Sequence, residues 1–488
     1  MIRDECTLAS SGFRCAGTPE ELLAALGSRY ETEGRPKGLT LLFSSAQGDN
    51  DGKGLDHLAK GDLLRRSIGG FYGVTPGLVE RIQSGRVAGY NLPQGVMVRL
   101  YQAIATGQPG VITRVGLCTY VDPRFGGGRL NSAAKESLNE IINLRGEDYI
   151  LYHGLPIDVC FIRATTADPH GNLSCEREAI KLEWMPLATA TRNSGGLVVA
   201  QVEKLSSTPM HPRNVEVPAH LVDVVVLATD PDSGHRQCVR HVYNPAYAGD
   251  AANDTPGSER AFTISQQLIA RRAAGYVQPG DIINLGSGMP EAVGEILRKN
   301  GLSGKVHSTL ESGVNGGSPA AAPDFGLASC PDSIVRQDDQ FSLYQGGGLD
   351  CGFLGFAEID EEGNVNVSRF GGRIVGCGGF IDIAQNAKRV VFCGTLNSKG
   401  LDLKLDGNRL SILREGLIPK FVRKVEQVTY CGREGLRRKQ EIFAVTERCV
   451  LQFTDEGWGV TETAPGVDLS ASVLSQMQFA PNIHRLAV

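Results

Sequence analysis

The chain has no long apolar run. A membrane-spanning helix needs roughly 20 apolar residues in a row, and a typical run here, Val224–Ala228, has only strand length. A basic surplus is also missing. The 49 Lys and Arg stand against 54 Asp and Glu, for a net charge of −5, which removes the electrostatic footprint of a nucleic-acid-binding protein or of one drawn to an anionic membrane. The twelve cysteines, scattered from Cys6 to Cys449, never form a CxxC pair, and the nine histidines do not cluster with them. Zinc-type sites need clustered ligands, so no metal site is expected. Thiols spread this way read as small buried hydrophobes in a reducing compartment. No basic stretch followed by an apolar core opens the chain, so no secretory signal is expected and the cytoplasm is the expected location.

Glycine is what the chain has in abundance, 61 in 488 residues, and the glycines gather where apolar runs end. One such place is His307–Pro319, HSTLESGVNGGSP. A strand end is followed by one carboxylate, Glu311, and then by a turn with Gly313, Gly316 and Gly317. Glycines crowd a turn when the backbone needs positive φ or when something must approach closely. Taken alone, Glu311 is either a solvated carboxylate or a catalytic one.

The length suggests roughly two to four domains. Strand–glycine–helix units recur along it. Cys6–Ser11 leads through Gly12 and Gly17 to Thr18-Pro19-Glu20, where Thr18 is expected to cap a helix with Pro19 at its first position. Leu39–Ser44 is a second strand, and a helix starts near Pro76. Tyr90-Asn91-Leu92-Pro93-Gln94-Gly95 leads into a helix from Val96 to about Thr106. Gln94 sits where a strand hands over to a helix, so its amide serves either a ligand oxygen or a turn. Ile157–Arg163, Leu197–Val202 and Val224–Ala228 are buried-strand runs. Periodicity then stops, and residues 249–261 read as a linker. Beyond it Phe262–Gly275 is an amphipathic helix, and Ile282–Glu291 repeats the opening design. Gly17-Thr18-Pro19-Glu20 matches Gly288-Met289-Pro290-Glu291. Gly126–Gly128 matches Gly346–Gly348, and Asp168–Asn172 matches Asp360–Asn364. Asn193 before Leu197-Val198-Val199 matches Asn386 before Val390-Val391-Phe392. Four matches in the same order predict two copies of one open α/β domain, residues 1–248 and 262–488, with a cleft at their strand ends. The end of the chain reads as a strand hairpin and a closing helix at Asp468–Met477.

Leu310-Glu311-Ser312-Gly313 with Gly316-Gly317 resembles the active-site segment of family I coenzyme A transferases. The likeness extends over nearly the whole chain, through Asn91–Gly95, Asn284–Glu291, Gly346-Gly347-Gly348-Leu349-Asp350 and Gly376-Cys377-Gly378-Gly379-Phe380-Ile381-Asp382. It is greatest to the single-chain acetate and propionate CoA-transferases. That resemblance implies transfer of CoA from a short-chain acyl-CoA to a free carboxylic acid. Glu311 would be the nucleophile, forming an anhydride and then a glutamyl-CoA thioester in ping-pong fashion. At the ordinary glutamate pKa of about 4.3 it would be ionised at neutral pH. Gln94, on the first domain, and a backbone N–H of Gly378-Gly379, on the second, would be the oxyanion donors. Gly286, Ser287 and Gly288, with Gly346, Gly347 and Gly376, would contact CoA, although Gly286–Gly288 reads equally well as a plain tight turn. No cofactor beyond CoA is implied, and a homo-oligomer, dimer or tetramer, is. Two other readings stand beside this one: an acyl-CoA hydrolase on the same scaffold, and a ligand-sensing binding protein or sugar-phosphate isomerase built on related α/β domains.

Overall fold

A computed structural model describes residues 2–251 and 262–487. Most of the expected linker, residues 249–261, lies outside the described residues. The chain forms two compact units, and they are interleaved in sequence. The first comprises Met1–Asp254, Glu311–Ser342 and Ile374–Asp382; the second comprises Thr255–Leu310, Leu343–Arg373 and Ile383–Val488. This corrects the expected division at residue 250. Two stretches from beyond the linker fold with the N-terminal part of the chain.

The first unit is built on seven parallel strands: β1 (Thr7–Ser10), β2 (Leu39–Phe43), β3 (Leu64–Gly69), β4 (Ala88–Asn91), β5 (Val159–Ala167), β6 (Leu197–Leu205) and β7 (Val224–Leu227). Their order is β7-β6-β5-β1-β2-β3-β4. Strands such as β2 and β5 are buried along their whole length, as parallel strands covered on both faces must be. Leu8, Leu23, Leu41, Phe43, Leu78, Ile82 and Ile374 meet in one apolar cluster. Each such side chain contributes roughly 1.5–3 kcal/mol when fully buried, and Ile374 ties a returning stretch to this core. A small antiparallel sheet of Gly110–Thr113, Asn139–Leu144 and Glu147–His153 has no counterpart in the sequence expectations.

The second unit carries β8 (Ile282–Leu285), β9 (His307–Thr309), β10 (Cys351–Gly355), β11 (Arg389–Cys393) and β12 (Glu441–Val445), parallel in the order β9-β8-β10-β11-β12. That order repeats β2-β1-β5-β6-β7, so the expected duplication is real at the level of topology. The repeated Asp-to-Asn turns agree bond for bond. Asp168 Oδ1 accepts the N–H of His170 and Asn172, and Asp360 Oδ1 accepts those of Glu362 and Asn364. In both turns the Asn amide returns to Oδ2 of the Asp. The expected closing hairpin is present as Cys449–Thr454 against Gly457–Thr463.

Two local expectations fail. Thr18 does not cap the first helix, Glu20–Glu33: Pro19 holds the N-cap position, so Thr18 lies one residue too early, and its hydroxyl donates to the Arg14 carbonyl at 2.8 Å. The closing helix shrinks to Leu469–Ser472 and a 3-10 turn, Leu474–Gln476.

Candidate active site

The helix Gln94–Ala105 begins directly after β4 and Pro93. Its first N–H groups have no partners within the helix, and the stretch Ile374–Asp382 supplies them. Gln94 N–H donates to the Gly378 carbonyl at 2.9 Å, and Gly95 N–H donates to Asp382 Oδ2 at 3.0 Å. The other edge of the same stretch is tied down as well. Gly378 N–H donates to the Gly70 carbonyl at 2.8 Å, and Cys377 N–H donates to Asn91 Oδ1 at 2.9 Å. Gly95 must be glycine, since a Cβ there would stand 2.5 Å from the Phe341 ring and 2.6 Å from Asp382 Oδ1.

These bonds bring Glu311, Gln94, Gly378 and Gly379 together inside the first unit. The expected split of the two donors between two domains is therefore corrected. It assumed that chain order sets the domain, whereas 311–342 and 374–382 pack with the N-terminal sheet. The Gly379 N–H donates to the Glu311 carboxylate. The Gly378 N–H is already engaged by Gly70, so of the two glycines only Gly379 donates to Glu311. A Cβ on Gly379 would fall well inside contact with Glu311 Oε2 and stand 3.0 Å from Phe341 Cζ. Gln94 is 1% exposed, and its amide Nε2 has no hydrogen-bond partner among the described residues. A buried amide with no protein partner costs about 1–3 kcal/mol unless something else accepts its N–H, so Nε2 can still donate to a further group.

Glu311 as a residue is half-buried, but protein encloses its carboxyl. Burial raises the carboxyl pKa to about 7, with the charge of Asp382 adding to the rise and the Gly379 N–H and Arg14 opposing it. The expectation of an ordinary glutamate is thus corrected: burial favours the protonated form of Glu311 well above the usual carboxylate range. Asp382 lies within the motif Gly376–Asp382, yet nothing in the sequence pattern gave it a role. Arg14 and Gln337 were not singled out either. Gln337 Nε2 stands 3.3 Å from Ser45 Oγ and 3.5 Å from the Glu311 carbonyl, contacts with no local sequence signal.

The glycines expected to hold CoA are not one group. Gly376 lies in the first unit, where a Cβ would stand 3.1 Å from Asn91 Oδ1. Gly286, Ser287, Gly288, Gly346 and Gly347 belong to the second. Gly286 packs against the Phe353 carbonyl, and the Gly288 N–H donates to Glu291 Oε1 at 2.8 Å. These contacts account for the turn without a ligand. Among the described residues no group of three or more His, Cys, Asp or Glu could hold a metal ion, and no helix is long and apolar enough to cross a membrane.

Residues 1–228 and 267–395 match the model of the family described as coenzyme A transferase. The chain is 38% identical over 489 residues to a caffeate CoA-transferase of Acetobacterium woodii, covering 99% of this chain and 93% of that one. It is 35% identical over 487 residues to the acetate CoA-transferase YdiF of Escherichia coli K12, covering 99% and 91%. The crystal structure of the acyl-CoA transferase YdiF apoenzyme from E. coli O157:H7 superposes with a TM-score of 0.92 at 34% identity, over 99% of this chain and 92% of that one. A further structure of that protein, a thioester complex with CoA, matches equally well. With the family pattern found in both halves and relatives aligned along nearly its whole length, the chain is an enzyme of the coenzyme A transferase family.

Proposed function

We propose that this enzyme moves CoA from a short-chain acyl-CoA to a free carboxylate such as acetate, through a glutamyl-CoA thioester on Glu311. The observation that carries the reading is the meeting of one enclosed carboxylate, the Gly379 N–H and the unpartnered Gln94 amide within a single unit. A Glu311 oxygen attacks the thioester carbonyl, and CoA leaves as thiolate. The thiolate then attacks the glutamyl carbon of the resulting anhydride, and the first carboxylate departs with one Glu311 oxygen. The oxygen left behind bears the developing charge in that step, and Gly379 N–H already donates to this carboxyl group. Gln94 Nε2 serves the oxyanion formed on the acyl carbon. The second acid runs the same steps in reverse. Positioning of this kind is worth roughly 7–11 kcal/mol. No cofactor beyond CoA takes part, and twelve free cysteines suit a reducing cytoplasm.

Incubation with acyl-CoA alone should give protein heavier by one CoA, attached at Glu311 and released by hydroxylamine. Intact-mass and peptide measurements that find no adduct would end this reading. CoA release measured with and without an acceptor acid separates transfer from hydrolysis, since turnover independent of acceptor would make the enzyme a hydrolase. The relatives are named for caffeate and for acetate, so the acceptor panel should run from acetate, propionate, butyrate and acetoacetate to an aromatic acid.

The attacking form of Glu311 is the carboxylate, and its pKa is raised from 4.5 to about 7. The profile of kcat/KM for acyl-CoA, which reports the free enzyme, should therefore be level above pH 7 and fall about tenfold per unit below it. A limb near 4.5 would show that burial does not control the nucleophile. Gly379→Ala should cost about 10²-fold or more in kcat, because the methyl displaces Glu311 from its donor. Near-normal turnover of a folded Gly379→Ala enzyme would exclude Gly379 N–H from the reaction.

A further inference from the structure

The strand order of the second unit reverses between β8 and β10, with β9 on one side of β8 and β10, β11 and β12 on the other. In open α/β sheets ligands bind beyond the carboxyl ends of the strands at such a point. Lys420 stands at these strand ends. Its Nζ lies 3.9 Å from the centre of the Phe356 ring, and Phe356 directly follows β10. Gly394 directly follows β11, and a Cβ there would come within 2.8 Å of Nζ, so glycine leaves room for the ammonium. On the β8 side a Cβ on Gly355 would stand 3.7 Å from the Ser287 carbonyl, which places the Gly286–Gly288 loop beside the same strand end. The main chain of Lys420 is fixed: its N–H donates to the Leu396 carbonyl at 3.3 Å, and its carbonyl accepts the Ile359 N–H at 2.8 Å.

Lys420 is 9% exposed, and among the described residues its Nζ makes no hydrogen bond or ion pair. Nζ is also absent from the unpartnered polar atoms that are sealed from solvent, so the surface the residue keeps includes its ammonium. Glu447 is the carboxylate whose charge it feels, but both oxygens of Glu447 are engaged. Oε1 accepts Arg448 Nε at 2.7 Å, and Oε2 accepts the Leu396 N–H at 2.9 Å. A cation taken from water without an anion is costly, and burial accordingly pulls the pKa of Lys420 down to about 8. In the first unit β5, the counterpart of β10, also carries a buried cation, Arg163. There Nε and Nη2 each meet Glu178 at 2.9 Å, so the charge is matched within the protein.

We propose that Lys420 is an anion-binding residue that takes a phosphate of CoA on the second unit. This rests on acyl-CoA being the substrate. The carboxylates of the reaction pass through Glu311, in the first unit, so the anions left for a cation of the second unit are the ribose phosphate and the pyrophosphate of CoA. A lysine ammonium serves either as a point charge. Phe356 holds the ammonium by its ring face and takes none of its N–H donors away, so they stay available to phosphate oxygens.

The test compares the full-length wild type with Lys420→Met, which keeps the stem and removes the charge. Lys420→Gln is the second neutral replacement should methionine not fold, and melting curves confirm folding. With propionate as acceptor, kcat/KM is measured for acetyl-CoA, for acetyl-dephospho-CoA and for acetyl-pantetheine, which has neither the ribose phosphate nor the pyrophosphate. The ratio of kcat/KM for acetyl-CoA to that for acetyl-pantetheine should fall about tenfold or more in the neutral variant. General damage to the fold lowers both values and leaves their ratio alone. If acetyl-dephospho-CoA suffers like acetyl-CoA, the pyrophosphate is the group bound; if it behaves like acetyl-pantetheine, the ribose phosphate is. A folded neutral variant with the wild-type ratio overturns the proposal. A wild type that uses none of the three thioesters removes the substrate reading itself.

Discussion

Glu311→Gln should lose CoA transfer by at least about 10⁴-fold in kcat while still binding acyl-CoA, since loss of a nucleophile that works as part of a set costs up to about 10⁶-fold. The amide has the shape of the carboxyl and its oxygen can still accept the Gly379 N–H, but it has no anionic oxygen to attack the thioester. Steady-state transfer together with calorimetric binding of acyl-CoA checks both halves of the expectation. Turnover within tenfold of wild type would assign the covalent step to another group. The same variant carries a stability signature. The folded pKa of Glu311 is raised above its ordinary 4.5 to about 7, so the protonated form is the one folding prefers. That contribution is fully present below pH 4.5 and is lost as pH rises through 7. Melting of the permanently neutral glutamine variant should therefore exceed wild type above pH 7, with the gap closing below 4.5.

Gln94→Ala should lower kcat by about 10²–10³-fold, the loss of one oxyanion donor, with little change in KM for acyl-CoA. The split follows from where the amide stands. Its Nε2 donates to no protein group among the described residues, so the variant breaks no hydrogen bond from that atom within the protein, and what it removes is the proposed contact to the oxyanion. Stability should change by little more than the small cavity requires. A variant that raises KM with kcat intact would make Gln94 a substrate-binding group. A variant that melts far below wild type would make it structural.

Much of this site was legible in the residue order, and the reasons it was differ from place to place. Glu311 stood out because glycines crowd the turn behind it. Gln94 stood out because a strand ends and a helix begins around it. The duplicated order of parallel strands showed through the repeated strand–glycine–helix units and the paired Asp-to-Asn turns. Other features depend on contacts that no local pattern records. The ionisation of Glu311 depends on enclosure and on Asp382, which lies 71 residues further along the chain. Assigning Glu311–Ser342 and Ile374–Asp382 to the first unit depends on bonds such as Gln94 to Gly378 and Gly95 to Asp382, each spanning more than 280 residues. Thr18 had the right type for a cap, but the helix starts one residue later than expected, at Glu20, which leaves Thr18 outside the cap position.

The interleaving of the units bears on how the enzyme is made. A ribosome adds about 5–20 residues per second, so residue 382 follows residue 254 by roughly 6–26 s. For that interval the nascent N-terminal portion has neither its nucleophile nor the carbonyl and carboxylate that complete the start of the Gln94 helix. Cutting the gene near codon 250 would make that temporary deficit permanent, and two separately expressed halves should regain turnover only after the later fragment threads its two returning stretches onto the earlier one.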